Sequence, residues 1–96
     1  MTSGREPPPP FAGARLSAHA LDSLRERDIG VDALRQVLAA PERWEQVRPG
    51  RIVCQGVVEQ DGRQYLLRVF IDVNPPPGRI VTVYRTSKMT KYRREP

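Results

Sequence analysis

An α+β fold, with two N-terminal helices packed on a three- to four-stranded antiparallel sheet, is what this sequence predicts. Three observations point to it. Apolar residues recur at helical spacing between residues 16 and 40, and the period changes to two after residue 50. Asp61-Gly62 then stands between two long β-rich runs, as the centre of a hairpin. Helices first and a meander afterwards give one helix layer on one sheet face.

Taken in order, residues 1–15 are a flexible lead, rich in Pro, Gly and Ala, with no core of its own. A single domain follows over residues 16–93, and residues 94–96 are a tail. Ser17 is a good N-cap, with Leu16 and Leu21 at the two positions of a hydrophobic staple. Ala20, Leu21 and Leu24 form the apolar stripe of a short helix running to about Arg27. Gly30 caps a second helix in which Val31, Leu34, Val37 and Leu38 recur at helical spacing. Asp32 favours the positive end of that helix, and Pro41 stops it.

"RIVCQGVVEQ" and "RQYLLRVFID" flank the Asp61-Gly62 turn as strands. In the second of them, Tyr65, Leu67, Val69 and Ile71 share one face, and Leu66, Arg68, Phe70 and Asp72 the other. "NPPPG" is a loop, because proline has no donor for a ladder. A further strand runs from Arg79 to about Ser87, with Thr82, Tyr84 and Thr86 opposite Val81, Val83 and Arg85. Trp44 to Arg48 add a short edge strand.

Charge is unevenly distributed along the 96 residues. Residues 1–48 carry seven Arg and seven acids, whereas residues 49–96 carry nine Lys and Arg against four acids, the whole of the net +5. The asymmetry points to an anionic partner met mainly by the C-terminal half, or simply to a soluble basic surface. No apolar run approaches the roughly 18 residues of a membrane span, and the N-terminus lacks the pattern of a secretion signal. Cys54 is the only cysteine, so a reducing cytoplasm is the simplest setting. Neither a metal nor a cofactor is expected. His19 and Cys54 lie 35 residues apart without carboxylates at ligand spacing, and there is no glycine-rich phosphate loop.

The chemistry-bearing candidates are therefore His19 and the cations. His19 is the one histidine and falls on the accessible side of the first helix, as a proton-transfer group or an ordinary surface residue. Arg79, Arg85, Lys88, Lys91, Arg93 and Arg94 alternate with Thr82, Tyr84, Thr86, Ser87 and Tyr92 along the last strand and tail. Cations hold phosphates and tyrosines stack on unpaired bases, so this pattern suits RNA; a basic tail after an edge strand is the plain alternative. Arg68, between Leu66 and Phe70, requires either an acid or a bound phosphate as partner.

Three segments carry a family resemblance. "SAHALDSLRERDIGVDALRQVLAAP" resembles the His-Ala, Arg-x-Arg, Ile, Val, Leu, Pro opening of a bacterial domain-of-unknown-function family. "YLLRVFIDV" resembles that family's middle strand, and "IVTVYRTSKMTKY" its closing one. The family is similar to RelE-, ParE- and BrnT-type toxins, whose ribonuclease members share a helix-helix-sheet fold with barnase and the colicin tRNases. Asp28 stands where the family usually has glycine, and Gly30 where it usually has a serine cap.

The resemblance implies a metal-independent endoribonuclease of toxin type, with RNA as substrate, an antitoxin protein as a further partner and no membrane contact. Such cleavage proceeds by attack of the 2′-OH and needs a base, an acid and a cation for the phosphorane. His19 suits proton transfer, Arg85 or Lys88 the phosphorane, and Tyr84 or Tyr92 proton donation or stacking. Arg68, Arg79, Lys91, Tyr92 and Arg93 would bind the RNA. Two other readings use the same residues: a non-catalytic nucleic-acid-binding module, and an inactive toxin-like domain that binds protein.

Overall fold

A computed structural model describes residues 13–88. The elements are β1 (Arg15–Leu16), α1 (Ala18–Glu26), α2 (Val31–Ala39), β2 (Arg43–Arg48), β3 (Arg51–Gln60), β4 (Arg63–Asp72) and β5 (Arg79–Thr86). They build one five-stranded sheet in the order β1-β5-β4-β3-β2. The expected three- to four-stranded antiparallel sheet is corrected in both number and direction, because β1 pairs with β5 in parallel. Arg15 N donates to Gly78 O and Ser17 N to Ile80 O, each at 3.0 Å. These bonds satisfy the backbone at the start of what would otherwise be an open edge of β5.

The local chemistry of both helices follows the sequence. The Ser17 hydroxyl accepts from Ala20 N at 3.0 Å and caps α1. Gly30 caps α2 without a side-chain bond, and Asp32 lies in its first turn. The buried side of α1 is Ala20, Ser23 and Leu24. Leu21 is 36% exposed and Leu16 39%, so the expected stripe through Leu21 is corrected by one helical step. Ser23 takes that inward place, with 2% of its surface exposed.

Asp61 (φ 53°) and Gly62 (φ 78°) form the expected turn, both with the positive φ of a type I′ hairpin. All ten residues of β3 pair with β4, from Arg51↔Asp72 to Gln60↔Arg63. Between β4 and β5 the register shifts at Phe70/Ile71, so that Ile71 faces Ile80 while Phe70 faces Thr82. Val81 is the extra residue of this bulge, which lets Ile80 and Val83 both point into the core. The strict alternation expected through Val81 is thereby broken. Gly78 precedes the strand at φ 94°, where a Cβ would lie 3.3 Å from Asp72 O.

The core lies between the helices and one sheet face. Ala20, Leu24, Ile29, Leu34, Val37 and Leu38 pack on Ile52, Cys54, Val58, Leu67, Val69, Ile71, Ile80 and Val83. Burial pushes the Cys54 thiol up to about 12, so it stays a neutral core side chain. The face turned away from α1 and α2 carries Val53, Val57, Leu66 and Phe70 among polar and charged residues. No helix of the described residues is long and apolar enough to cross a membrane.

Candidate nucleic-acid interface

Register places Arg43, Gln55, Arg68 and Tyr84 in one row across β2, β3, β4 and β5, on the face without helices. Arg68 is the centre of this row. Its Nη1 donates to Tyr84 Oη at 2.6 Å and its Nε to Gln55 Oε1 at 3.2 Å. The guanidinium also lies 5.5 Å from the Phe70 ring centroid and 5.7 Å from that of Tyr84. The two rings are stacked, with centroids 6.1 Å apart and planes inclined by 24°. In these two contacts the partners of Arg68 are a phenol and an amide. Gln55 is 4% exposed, whereas Arg68, Phe70 and Tyr84 are half-buried.

The four residues expected to act together in catalysis do not converge. Tyr84 and Arg85 are consecutive in β5 and therefore lie on opposite faces. Arg85 is on the helix side, where it donates to Gln60 Oε1 and to Asp28 O and lies 4.7 Å from the Tyr65 ring centroid. Gln60 Nε2 also donates to Asp28 O at 2.7 Å, so this arginine closes the C-terminal end of α1 onto the sheet. His19 is exposed in the first turn of α1, which Ser17 N anchors to Ile80 O at the other end of β5. Nine helical residues, about 14 Å, separate the two ends. Lys88 is exposed beyond the end of β5, its backbone N–H donating to Thr86 Oγ1 at 3.0 Å. Of the predicted site residues, the structure brings together Tyr84 and Arg68. Lys91, Tyr92 and Arg93 lie outside the described residues.

Arg79 belongs to a second row on the same face, two rows from Arg68. Its members are Arg48, Arg51, Asp72, Arg79 and Arg15, drawn from all five strands. Arg51 grips Asp72 with two bonds, Nε to Oδ1 at 2.6 Å and Nη2 to Oδ2 at 3.0 Å. The Arg51 hydrogen bond, followed by the nearby charges of Arg51, Arg48 and Arg79, holds the Asp72 carboxyl below the usual aspartate range. The same contact raises Arg51. Arg15, Arg48 and Arg51 were not singled out from the sequence. Arg48 and Arg51 do flank Pro49-Gly50, and a two-residue turn there pairs them directly, which is a signal the sequence contained.

A family model for a domain of unknown function (DUF4258) matches residues 16–85. The chain belongs to this family. No curated protein and no solved structure matches the chain. The matched stretch of this DUF4258 domain covers both helices, β2 to β4, nearly all of β5 and the Arg68–Tyr84 pair. Among the described residues, no three of His, Cys, Asp and Glu gather as ligands for a metal ion.

Proposed function

We propose that this DUF4258 domain binds single-stranded RNA on the sheet face turned away from its helices. The observation that carries the reading is the cluster of Arg68, Tyr84 and Phe70. It combines a cation for phosphate with two aromatic rings on which unpaired bases stack, and stacking contributes about 1–3 kcal/mol per base. The basic C-terminal half supports the same reading through long-range attraction for a polyanion.

Cleavage of the bound RNA, the activity of a toxin-type endoribonuclease, is a second reading. It is favoured by the 2.6 Å contact in which a guanidinium donates to the phenol oxygen. In that reading the 2′-OH gives its proton to solvent water as its oxygen attacks phosphorus, and Arg68 stabilises the charge on the phosphorane. Tyr84 protonates the departing 5′-oxygen, and a 2′,3′-cyclic phosphate remains. The only histidine, His19, belongs to the helix layer rather than to the sheet face of Arg68 and Tyr84; binding is for this reason the leading reading. A toxin of this type would have a neutralising antitoxin protein as its further partner.

Fluorescence anisotropy with a labelled single-stranded oligonucleotide, run beside a cleavage assay in EDTA, separates the readings. Arg68→Ala is expected to weaken binding about tenfold or more. Tyr84→Phe keeps the ring and removes the hydroxyl, so binding is retained while any cleavage is lost. Equal RNA affinity for wild type and Arg68→Ala would overturn the proposed interface.

A further inference from the structure

The row Arg48–Arg51–Asp72–Arg79–Arg15 is unusual for a sheet. Register sets Arg48 directly opposite Arg51 and Arg15 directly opposite Arg79. Like charges so placed destabilise strand pairing. One acid, Asp72, serves four cations, leaving a local charge of +3 across all five strands. With neighbouring strands about 4.8 Å apart, the row extends roughly 19 Å. Arg15, Arg48 and Arg79 are exposed, and among the described residues no salt bridge ties them down. Arg51 is held in place by its two bonds to Asp72.

We infer that this row is a phosphate-binding site that takes several consecutive phosphates, from a nucleic-acid backbone or from a free polyphosphate chain. The chemistry favours phosphate over an isolated carboxylate. Planar guanidinium groups spaced along a line match the repeated, multiply accepting oxygens of linked phosphates, and each charge-assisted contact offsets the repulsion built into the row. Asp72 acts as a positioning residue that orients Arg51 and moderates the field. The site stands four residues along β4 from Arg68, about 13 Å away, so one RNA strand can span both, but it does not depend on the RNA reading.

The test uses the full chain with inorganic tripolyphosphate, titrated by calorimetry and by NMR of the arginine side chains. The expected result is binding that shifts the Nε–H signals of Arg48, Arg51 and Arg79. Arg48→Ala/Arg79→Ala should weaken binding at least about tenfold. A control that removes two exposed arginines elsewhere, Arg35→Ala/Arg63→Ala, should change it less than about threefold. Asp72→Asn, which keeps an oxygen facing Arg51 and removes the counter-charge, should tighten it. An absence of tripolyphosphate binding, or equal weakening in the control, overturns the site.

RNA that displaces tripolyphosphate identifies a nucleic-acid backbone as the source, and RNA that does not identifies a free polyphosphate; either supports the row. RNA binding that depends on Arg68, in a protein indifferent to tripolyphosphate, overturns the row and leaves the proposed function standing. Tripolyphosphate binding without RNA binding does the reverse.

Discussion

Replacing Arg68 with alanine perturbs the centre of the proposed interface and the sheet at once. The side chain donates to Tyr84 Oη at 2.6 Å and to Gln55 Oε1 at 3.2 Å, and lies over two rings. A hydrogen bond involving a charged group contributes about 1.5–3 kcal/mol, and a cation–π contact at a partly exposed site about 0.5–1 kcal/mol. Arg68 is half-buried, so the lower ends of both ranges apply. Against them stand up to about 2 kcal/mol of rotamer entropy that alanine does not lose. The net expectation is a loss of about 1–2 kcal/mol. For a domain of this size that lowers Tm by roughly 4–16 °C, measured by circular dichroism. Arg68→Lys keeps the charge without the planar fork and should fall between the two. A Tm for Arg68→Ala within about 1 °C of wild type would refute the reasoning, since an arginine that contributes nothing to the sheet is not a fixed binding group.

Other expectations follow from particular positions. Gly62→Val places a β-branched residue at φ 78° and should cost about 1 kcal/mol or more in urea unfolding; an unchanged midpoint contradicts the type I′ turn. Asp28 sits at φ 55°, where a Cβ is strained, so Asp28→Gly should be neutral to stabilising by about 1 kcal/mol. A clear destabilisation would show that the Asp28 side chain near Gln60 outweighs the backbone strain. Asp72 is depressed in the folded state, so its contribution is present above the unfolded-state value and is lost as pH falls through the folded one. Wild type should therefore lose stability more steeply than Asp72→Asn below about pH 4, and parallel acid-unfolding curves would contradict the pairing with Arg51.

Much of the fold could be read from the sequence because its signals are local. Ser17, Gly30, Asp61-Gly62 and the proline loop each specify backbone geometry within a few residues. β1 was beyond reach for the same reason. Two residues, Arg15 and Leu16, carry no periodicity, and their pairing with β5 depends on a strand some sixty residues later. The bulge at Val81 was likewise set by packing of Ile80 and Val83 rather than by any local motif. At the site, alternation assigned Arg68 to the face it occupies and separated Tyr84 from Arg85. Alternation does not tell which strand lies beside which, so neither the Arg68–Tyr84 contact nor the five-strand arginine row could be assembled from it. His19 was prominent by chemistry alone, and its distance from Arg85 became evident only with the direction of α1 along β5.

Chemical-shift mapping with a short single-stranded oligonucleotide puts the proposed RNA face, the side of the sheet without helices, to the test. Perturbations should centre on Arg68, Phe70, Thr82 and Tyr84, with the outer sides of α1 and α2 unmoved. Perturbations centred on His19 and the exposed side of α1, or none at all, would contradict it.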